Sequence, residues 1–172
     1  MIRLVLGGDK SGKSAFALTQ LEADCGPRIL LATGQAADFS FRQQILDHRT
    51  ARDPHIPVRE TGADLVAALR QSVTEYKAVL IDSLDFWLFA CREAGRMQYQ
   101  EELAECLKQI TRDAPDAIIT FVSCEAGLGA IPASSATRLF IRELGSINQM
   151  VAACADEVCL MVAGLPVYLK RH

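Results

Sequence analysis

The sequence lacks a long apolar run, an excess of positive charge and the usual beginning of a secreted protein. Its apolar runs, such as 117–122, are far too short to cross a bilayer, so no membrane insertion is expected. Lys and Arg number 18 against 21 Asp and Glu, which leaves no basic field to attract nucleic acid. The N-terminus has no charged, apolar and small-residue regions of a secretion signal, so we expect a cytoplasmic protein.

Cysteine and histidine are present in a pattern that does not suggest a structural metal site. The six cysteines include no C-x-x-C pair, and the chain has only three histidines. In the cytosol such thiols stay reduced, and we expect most of them to be buried. Half of the residues are apolar, which is enough for the core of one domain spanning 1–172.

Apolar runs of strand length alternate along the chain with segments of helical period. The runs do not alternate with polar residues, so both faces of the sheet should be covered. This alternation predicts an α/β fold with a mainly parallel central sheet between two helical layers. Helical patterns occupy 13–24, 38–52, 62–76, 98–113 and 134–156. The predicted strands are Ile2–Leu6, Arg28–Ala32, Ile56–Glu60, Ala78–Ile81, Ile118–Val122, Val158–Val162 and Val167–Lys170.

The segment GGDKSGKS matches the complete pattern of a phosphate-binding loop (P-loop) between a strand and a helix. Glycines let the backbone turn tightly around a phosphate, and the helix that follows adds its positive end. We expect Lys13 to reach the β- and γ-phosphates and the Ser14 hydroxyl to bind Mg²⁺. The nucleotide-binding residues predicted by this pattern are Gly7, Gly8, Asp9, Lys10, Ser11, Gly12, Lys13 and Ser14.

A P-loop works with a second acidic residue at the end of a neighbouring strand, which holds Mg²⁺ directly or through water. Asp82 ends the apolar run AVLID and is the candidate for this role. The alternative interpretation is that Asp82 caps the next helix, and the two roles are compatible.

His48 lies in the stretch ILDHRTAR, four residues before Arg52, so the two share a face of the predicted helix. A neutral imidazole can attack a phosphorus atom, and a nearby arginine can hold phosphate oxygens. The spacing alone fits a surface histidine equally well.

Longer stretches resemble the bifunctional adenosylcobinamide kinase/adenosylcobinamide-phosphate guanylyltransferase family of cobalamin biosynthesis. The resemblance places the chain among proteins with a P-loop NTPase-type fold. It runs almost from end to end and includes the P-loop, LLATGQ, ILDHRTAR, IDSLDFW, FVSCEAGLGAIP and the run from 138 to 170.

The resemblance implies two reactions. ATP or GTP would phosphorylate the aminopropanol hydroxyl of adenosylcobinamide, and GMP from GTP would then move onto that phosphate through a guanylyl-histidine. It implies Lys13 and His48 as catalytic residues, Mg²⁺ held by Ser14 and Asp82, a corrinoid partner and a homotrimer. Further nucleotide contacts carried over from the family pattern are Thr33, Gly34, Gln35, Arg49, Thr50, Ala51, Arg52, Glu60 and Asp82.

Several residues depart from the family pattern, mostly on the side expected to receive the acceptor. They are Asp9, Lys10, Gln44, Ser83, Asp85, Ala90 and Cys124. These departures leave two alternatives open beside the bifunctional enzyme, namely a guanylyltransferase alone and a nucleotide-binding regulatory or scaffold subunit. The loop Glu125–Pro132 fits either close approach to a ligand or a plain crossover. Asn148 and Gln149 fit a buried polar contact or a subunit interface as well as substrate binding.

Overall fold

The protein is described by a computed structural model that covers residues 1–34 and 56–171. The predicted helix 38–52 lies outside the described residues, and with it His48, Gln35 and the stretch Arg49–Arg52. The predicted strand Ile56–Glu60 is shorter than expected and begins at Val58.

Within the described residues, seven strands form one sheet in the order β3-β2-β4-β5-β1-β6-β7. Every neighbouring pair is parallel except β6 and β7, which form an antiparallel hairpin. The mainly parallel sheet predicted from the sequence is therefore confirmed. The strands are β1 (Ile2–Gly7), β2 (Arg28–Ala32), β3 (Val58–Glu60), β4 (Ala78–Asp82), β5 (Ile118–Cys124), β6 (Glu157–Val162) and β7 (Leu165–Arg171).

Five α-helices lie in the part of the chain that is described, together with short 3₁₀ turns at Gly62–Asp64 and Ala126–Leu128. None of these helices is long and apolar enough to cross a membrane. The helices are α1 (Lys13–Ala23), α2 (Leu65–Glu75), α3 (Leu84–Glu93), α4 (Tyr99–Asp113) and α5 (Ser135–Cys154).

Side chains of each strand alternate between two apolar cores, one on each face of the sheet. In β1, Leu4 packs into the core beneath α2, α3, α4 and α5, whereas Val5 packs into the core beneath α1. Phe121 and Val122 of β5 divide in the same way. This arrangement explains why the strands read as continuous apolar runs, because both faces are covered by helices.

Helix α3 is absent from the helical patterns recognised in the sequence. Its segment LDFWLFAC is almost wholly apolar, so it shows no polar stripe. It follows β4 after a single residue, so no helix-breaking residue separates it from the strand. In the structure Leu84, Leu88 and Cys91 are buried at helical spacing. The exposed Phe86 and Phe89 complete the apolar run without contributing to the core.

Candidate active site

The P-loop connects the end of β1 to the first turn of α1. Gly12, with a positive φ of 93°, is the last residue before the helix, and its carbonyl accepts the first helical hydrogen bond from the Phe16 N–H at 3.0 Å. Lys13 Nζ donates to the Gly8 carbonyl oxygen at 2.8 Å. The ammonium group is thereby folded over the loop, close to where a phosphate would bind.

Gly7 leaves no room for a side chain. A Cβ atom built there would lie 2.4 Å from Ser11 Oγ and 3.0 Å from the Met161 carbonyl oxygen of β6. At Gly8, by contrast, a Cβ would meet nothing within 4 Å among the described atoms. Only the first of these two adjacent glycines is therefore required by packing.

The β6–β7 turn supports the P-loop from the side. The Gly164 N–H donates to the Ser11 carbonyl oxygen at 3.0 Å, and a Cβ on Gly12 would lie 3.2 Å from Gly164 Cα. Ala163 and Gly164 both have positive φ, as a tight two-residue hairpin turn requires. Sequence reasoning missed this contact, since the only local sign of it is the Ala-Gly pair between two apolar strands.

The two residues predicted to bind Mg²⁺ are adjacent in the structure. The Ser14 hydroxyl donates to Asp82 Oδ1 at 3.2 Å, although Asp82 lies on β4, two strands away from β1. A hydroxyl and a carboxylate side by side are hard oxygen donors, and they fit a cation that takes its remaining ligands from phosphates and water. The interpretation of Asp82 as a helix cap is wrong, because Ser83 occupies the N-cap position of α3.

Thr33 holds the backbone that follows Asp82. Its hydroxyl donates to the Ser83 carbonyl oxygen at 2.6 Å and accepts from the Ser83 N–H at 2.8 Å. The Thr33 N–H also donates to the Asp82 carbonyl oxygen at 3.1 Å. Thr33 is fully buried, and these bonds place it where it orients the turn after Asp82. Gly34 follows at the same sheet edge, and Glu60 lies exposed at the end of β3.

Cys124 ends β5 directly beside Gly7 of β1. Burial raises the pKa of its thiol, and the negative charge of Asp85 raises it further, while the cation of Lys13 acts in the opposite direction. The thiol is therefore protonated at neutral pH and does not act as a nucleophile there. The two charged P-loop departures, Asp9 and Lys10, are exposed, so neither charge is buried against the loop.

Asn148 ties α5 to the end of β5. It is only 5% exposed, its Oδ1 accepts from Ser123 Oγ at 2.6 Å, and its Nδ2 donates to the Cys124 carbonyl oxygen at 3.0 Å. The neighbouring Glu125 N–H donates to the Gly7 carbonyl oxygen at 3.1 Å. The interpretation of Asn148 as a buried polar contact to the sheet is confirmed, whereas Gln149 is exposed.

The described part of the site thus gathers at the carboxyl edge of the sheet, where the parallel strands β1, β2, β4 and β5 end together. This is the position at which parallel α/β sheets bind their ligands. The parallel arrangement of these strands brings the P-loop, Asp82 and the pair Thr33 and Gly34 to one edge of the sheet. Such a site can hold a triphosphate and a divalent cation.

Comparison with known proteins identifies relatives along the whole chain. The family model described as cobinamide kinase / cobinamide phosphate guanyltransferase matches residues 3–169. The bifunctional adenosylcobalamin biosynthesis protein CobP of Pseudomonas aeruginosa is 36% identical over 172 residues, which cover 97% of this chain and 96% of that protein. The corresponding protein CobU of Escherichia coli is 29% identical over 188 residues, covering 99% of this chain and 100% of that protein.

Among solved structures, a prototypical ATPase from the type III secretion system of pathogenic bacteria is similar in fold. The TM-score is 0.63 at 12% sequence identity. The match covers 97% of this chain and 56% of the ATPase chain, so this protein spans little more than half of that ATPase. At this identity the likeness concerns the P-loop fold and nothing finer.

Proposed function

The chain belongs to the cobinamide kinase/cobinamide phosphate guanyltransferase family, and from this premise we propose that it catalyses both reactions of the family's name. In the first, ATP or GTP phosphorylates the aminopropanol hydroxyl of adenosylcobinamide. In the second, GMP from GTP is transferred to that phosphate to give adenosylcobinamide-GDP. The observation that carries the proposal is the complete P-loop beside the Ser14–Asp82 pair, in a chain that matches the family from residue 3 to residue 169.

In the kinase step, the backbone N–H groups of Gly7–Ser14 and the end of α1 bind the triphosphate. Lys13 exchanges its contact with the Gly8 carbonyl for the β- and γ-phosphates, where it stabilises the charge that develops on the γ-phosphoryl group. Ser14 and Asp82 hold Mg²⁺, which neutralises phosphate charge when it is bound. Thr33 keeps the turn after Asp82 in place through its two bonds to Ser83.

In the guanylyltransferase step, a neutral nitrogen of His48 attacks the α-phosphorus of GTP. A P–N bond forms, the bond to the bridging oxygen breaks, and pyrophosphate leaves. The phosphate of the acceptor then attacks the same phosphorus and regenerates the imidazole, so one difficult transfer becomes two displacements. The further nucleotide contacts proposed are Gly34, Gln35, Arg49, Thr50, Ala51, Arg52 and Glu60.

The proposed setting of these reactions is a cytoplasmic homotrimer. A cytoplasmic location is consistent with a chain in which no described helix could cross a membrane. The proposal of a trimer comes from the resemblance to the family, whose members are usually trimers. Sedimentation equilibrium of the purified protein measures the subunit number directly.

The guanylyl-histidine is tested with Mg²⁺ and α-labelled GTP. Phosphoramidates are labile in acid and stable in base, so we expect label on the protein that has both properties. His48→Ala should abolish the label, whereas the matched variant His55→Ala, seven residues away, should retain it. If His48→Ala still carried the label, His48 would not be the nucleophile. If the wild type carried no label, the proposed guanylyltransferase activity would be refuted.

The kinase is tested separately with γ-labelled ATP or GTP and adenosylcobinamide. Because Lys13 acts on the transferred phosphoryl group, Lys13→Met should lower the rate by about 100-fold or more. Lys108→Met on the exposed face of α4 is the matched control and should leave it unchanged. Protein label without labelled cobinamide phosphate would indicate a guanylyltransferase alone. Nucleotide binding without either product would indicate a regulatory subunit.

A further inference from the structure

Helices α3 and α5 present large apolar side chains to solvent. Phe89 of α3 is 54% exposed and Leu139 of α5 is 48% exposed, and Phe86 is exposed one turn before Phe89. Solvent exposure of several large apolar side chains on adjacent elements commonly marks a binding surface.

One ion pair between the two helices shows which of their faces lie side by side. Arg92 of α3 lies 3.3 Å from Glu143 of α5. Phe89 precedes Arg92 by three residues, so these two side chains share a face of α3. Leu139 precedes Glu143 by four residues, so these two share a face of α5. Both helices follow parallel strands and begin at the carboxyl edge of the sheet. Phe89 and Leu139 therefore lie one turn closer to that edge than the ion pair.

The next turn of α3 towards the sheet edge carries Asp85, four residues before Phe89. We call the surface formed by Asp85, Phe86, Phe89 and Leu139 the α3/α5 cleft. Asp85 lies three residues after Asp82, whose carboxylate accepts a hydrogen bond from Ser14 of the P-loop.

Asp85 is half-buried, and one of its two carboxylate oxygens is turned away from bulk water. Its Oδ1 atom is buried and has no hydrogen-bond partner among residues 1–34 and 56–171. The negative charge of Asp85 raises the pKa of the Cys124 thiol, and Cys124 ends β5 beside Gly7 of the P-loop. A carboxylate oxygen without a donor thus lies in the first turn of α3, just after Asp82.

We propose that the α3/α5 cleft binds the corrinoid acceptor of the kinase step, and that Asp85 accepts the proton of the acceptor hydroxyl. This inference rests on the proposed function. The apolar side chains Phe86, Phe89 and Leu139 pack against the methyl-bearing face of the corrin ring. The hydroxyl arm then extends past Asp85 towards the γ-phosphorus.

The reaction at Asp85 balances without a further reagent. The hydroxyl oxygen forms a bond to the γ-phosphorus as its proton passes to the Asp85 carboxylate. The bond between the γ-phosphorus and the bridging oxygen breaks, and the nucleoside diphosphate leaves with that electron pair. Asp85 then returns its proton to solvent, which restores the carboxylate for the next turnover.

Binding of the acceptor can be measured without turnover, because the chain has a single tryptophan, Trp87, in α3. A corrin absorbs at the wavelengths at which tryptophan emits, so cobinamide bound in the cleft should quench this fluorescence. We expect Phe89→Ser and Leu139→Ser each to weaken binding at least tenfold. Both should raise KM for adenosylcobinamide to the same extent and leave KM for the nucleotide within twofold of wild type. The matched control is Val167→Ser on β7, since Val167 is 48% exposed like Leu139 but lies outside the cleft.

Asp85→Asn tests the proton transfer. We expect kcat of the kinase step to fall about 100-fold, with acceptor binding by fluorescence within threefold of wild type. Unchanged kcat of the kinase step in Asp85→Asn would overturn the role of Asp85.

The outcomes separate this inference from the proposed function. If the wild type forms neither cobinamide phosphate nor labelled protein, the proposed function fails and the cleft proposal fails with it. If the wild type is active but both serine variants bind cobinamide normally, only the cleft proposal is overturned. If the serine variants instead change the sedimentation coefficient, a second copy of the chain covers this surface, which also overturns it. Unchanged nucleotide affinity shows that a variant is folded. If only one of the two serine variants is folded, that variant alone tests the proposal.

Discussion

The buried amide of Asn148 offers a quantitative test of how the site is held together. Replacing it with alanine removes two hydrogen bonds at once, one from Ser123 Oγ at 2.6 Å and one to the Cys124 carbonyl oxygen at 3.0 Å. The Ser123 side chain is completely buried, so its hydroxyl cannot exchange the lost partner for bulk water.

The size of the effect follows from these two groups. A buried polar group that loses its partner costs about 1–3 kcal/mol. The loss applies in full to the Ser123 hydroxyl and in part to the Cys124 carbonyl, which lies nearer the surface. We therefore expect Asn148→Ala to lower the free energy of unfolding by about 2–4 kcal/mol.

Urea unfolding at a fixed protein concentration measures this difference, because any oligomer makes apparent stability depend on concentration. Gln149→Ala is the matched control, since it removes the same amide one residue later from an exposed position. It should change stability by no more than about 0.5 kcal/mol. Ser123→Ala combined with Asn148→Ala should cost less than the sum of the single changes by about 1 kcal/mol, because the double variant leaves no hydroxyl unpaired. An Asn148→Ala protein as stable as Gln149→Ala would refute the reasoning.

Three further predictions concern the P-loop and the thiols. Gly7→Ala should destabilise the protein by about 1–3 kcal/mol, because its Cβ would meet a backbone carbonyl of β6, whereas Gly8→Ala should be nearly neutral in the same thermal unfolding assay. Burial raises the pKa of the Cys91 thiol from 9.0 to about 11. The protonated thiol therefore makes its full contribution to the free energy of unfolding below pH 9, and that contribution is lost as the pH rises to 11. That loss amounts to about 2–3 kcal/mol. If the free energy of unfolding of Cys91→Ala fell with pH as steeply as that of the wild type between about pH 8.5 and 11, the prediction would be wrong. Under native conditions the exposed Cys25 and Cys154 should react with a thiol reagent before the other four cysteines, which mass spectrometry of the labelled peptides can check.

Local patterns in the sequence predicted the elements that depend on neighbouring residues alone. The P-loop is one of these, because its chemistry needs a fixed set of residues within eight positions and a strand and helix on either side. The strands were recognisable for a similar reason, since a sheet covered on both faces requires uninterrupted apolar runs. Helix α3 was missed because its exposed face carries Phe86 and Phe89, so the usual polar stripe of a surface helix is absent.

Long-range contacts were decided by the tertiary structure. The amino-acid sequence by itself determined a phosphate-binding loop at the first strand–helix junction and a carboxylate at the end of a later strand. Only the strand order, with β5 inserted between β1 and β4, places the Ser14 hydroxyl 3.2 Å from Asp82, and only the β6–β7 hairpin places Gly164 against Gly12. The physical reason is that hydrophobic runs specify that a strand is buried, whereas the choice of its neighbours depends on how all the helices and crossovers pack together.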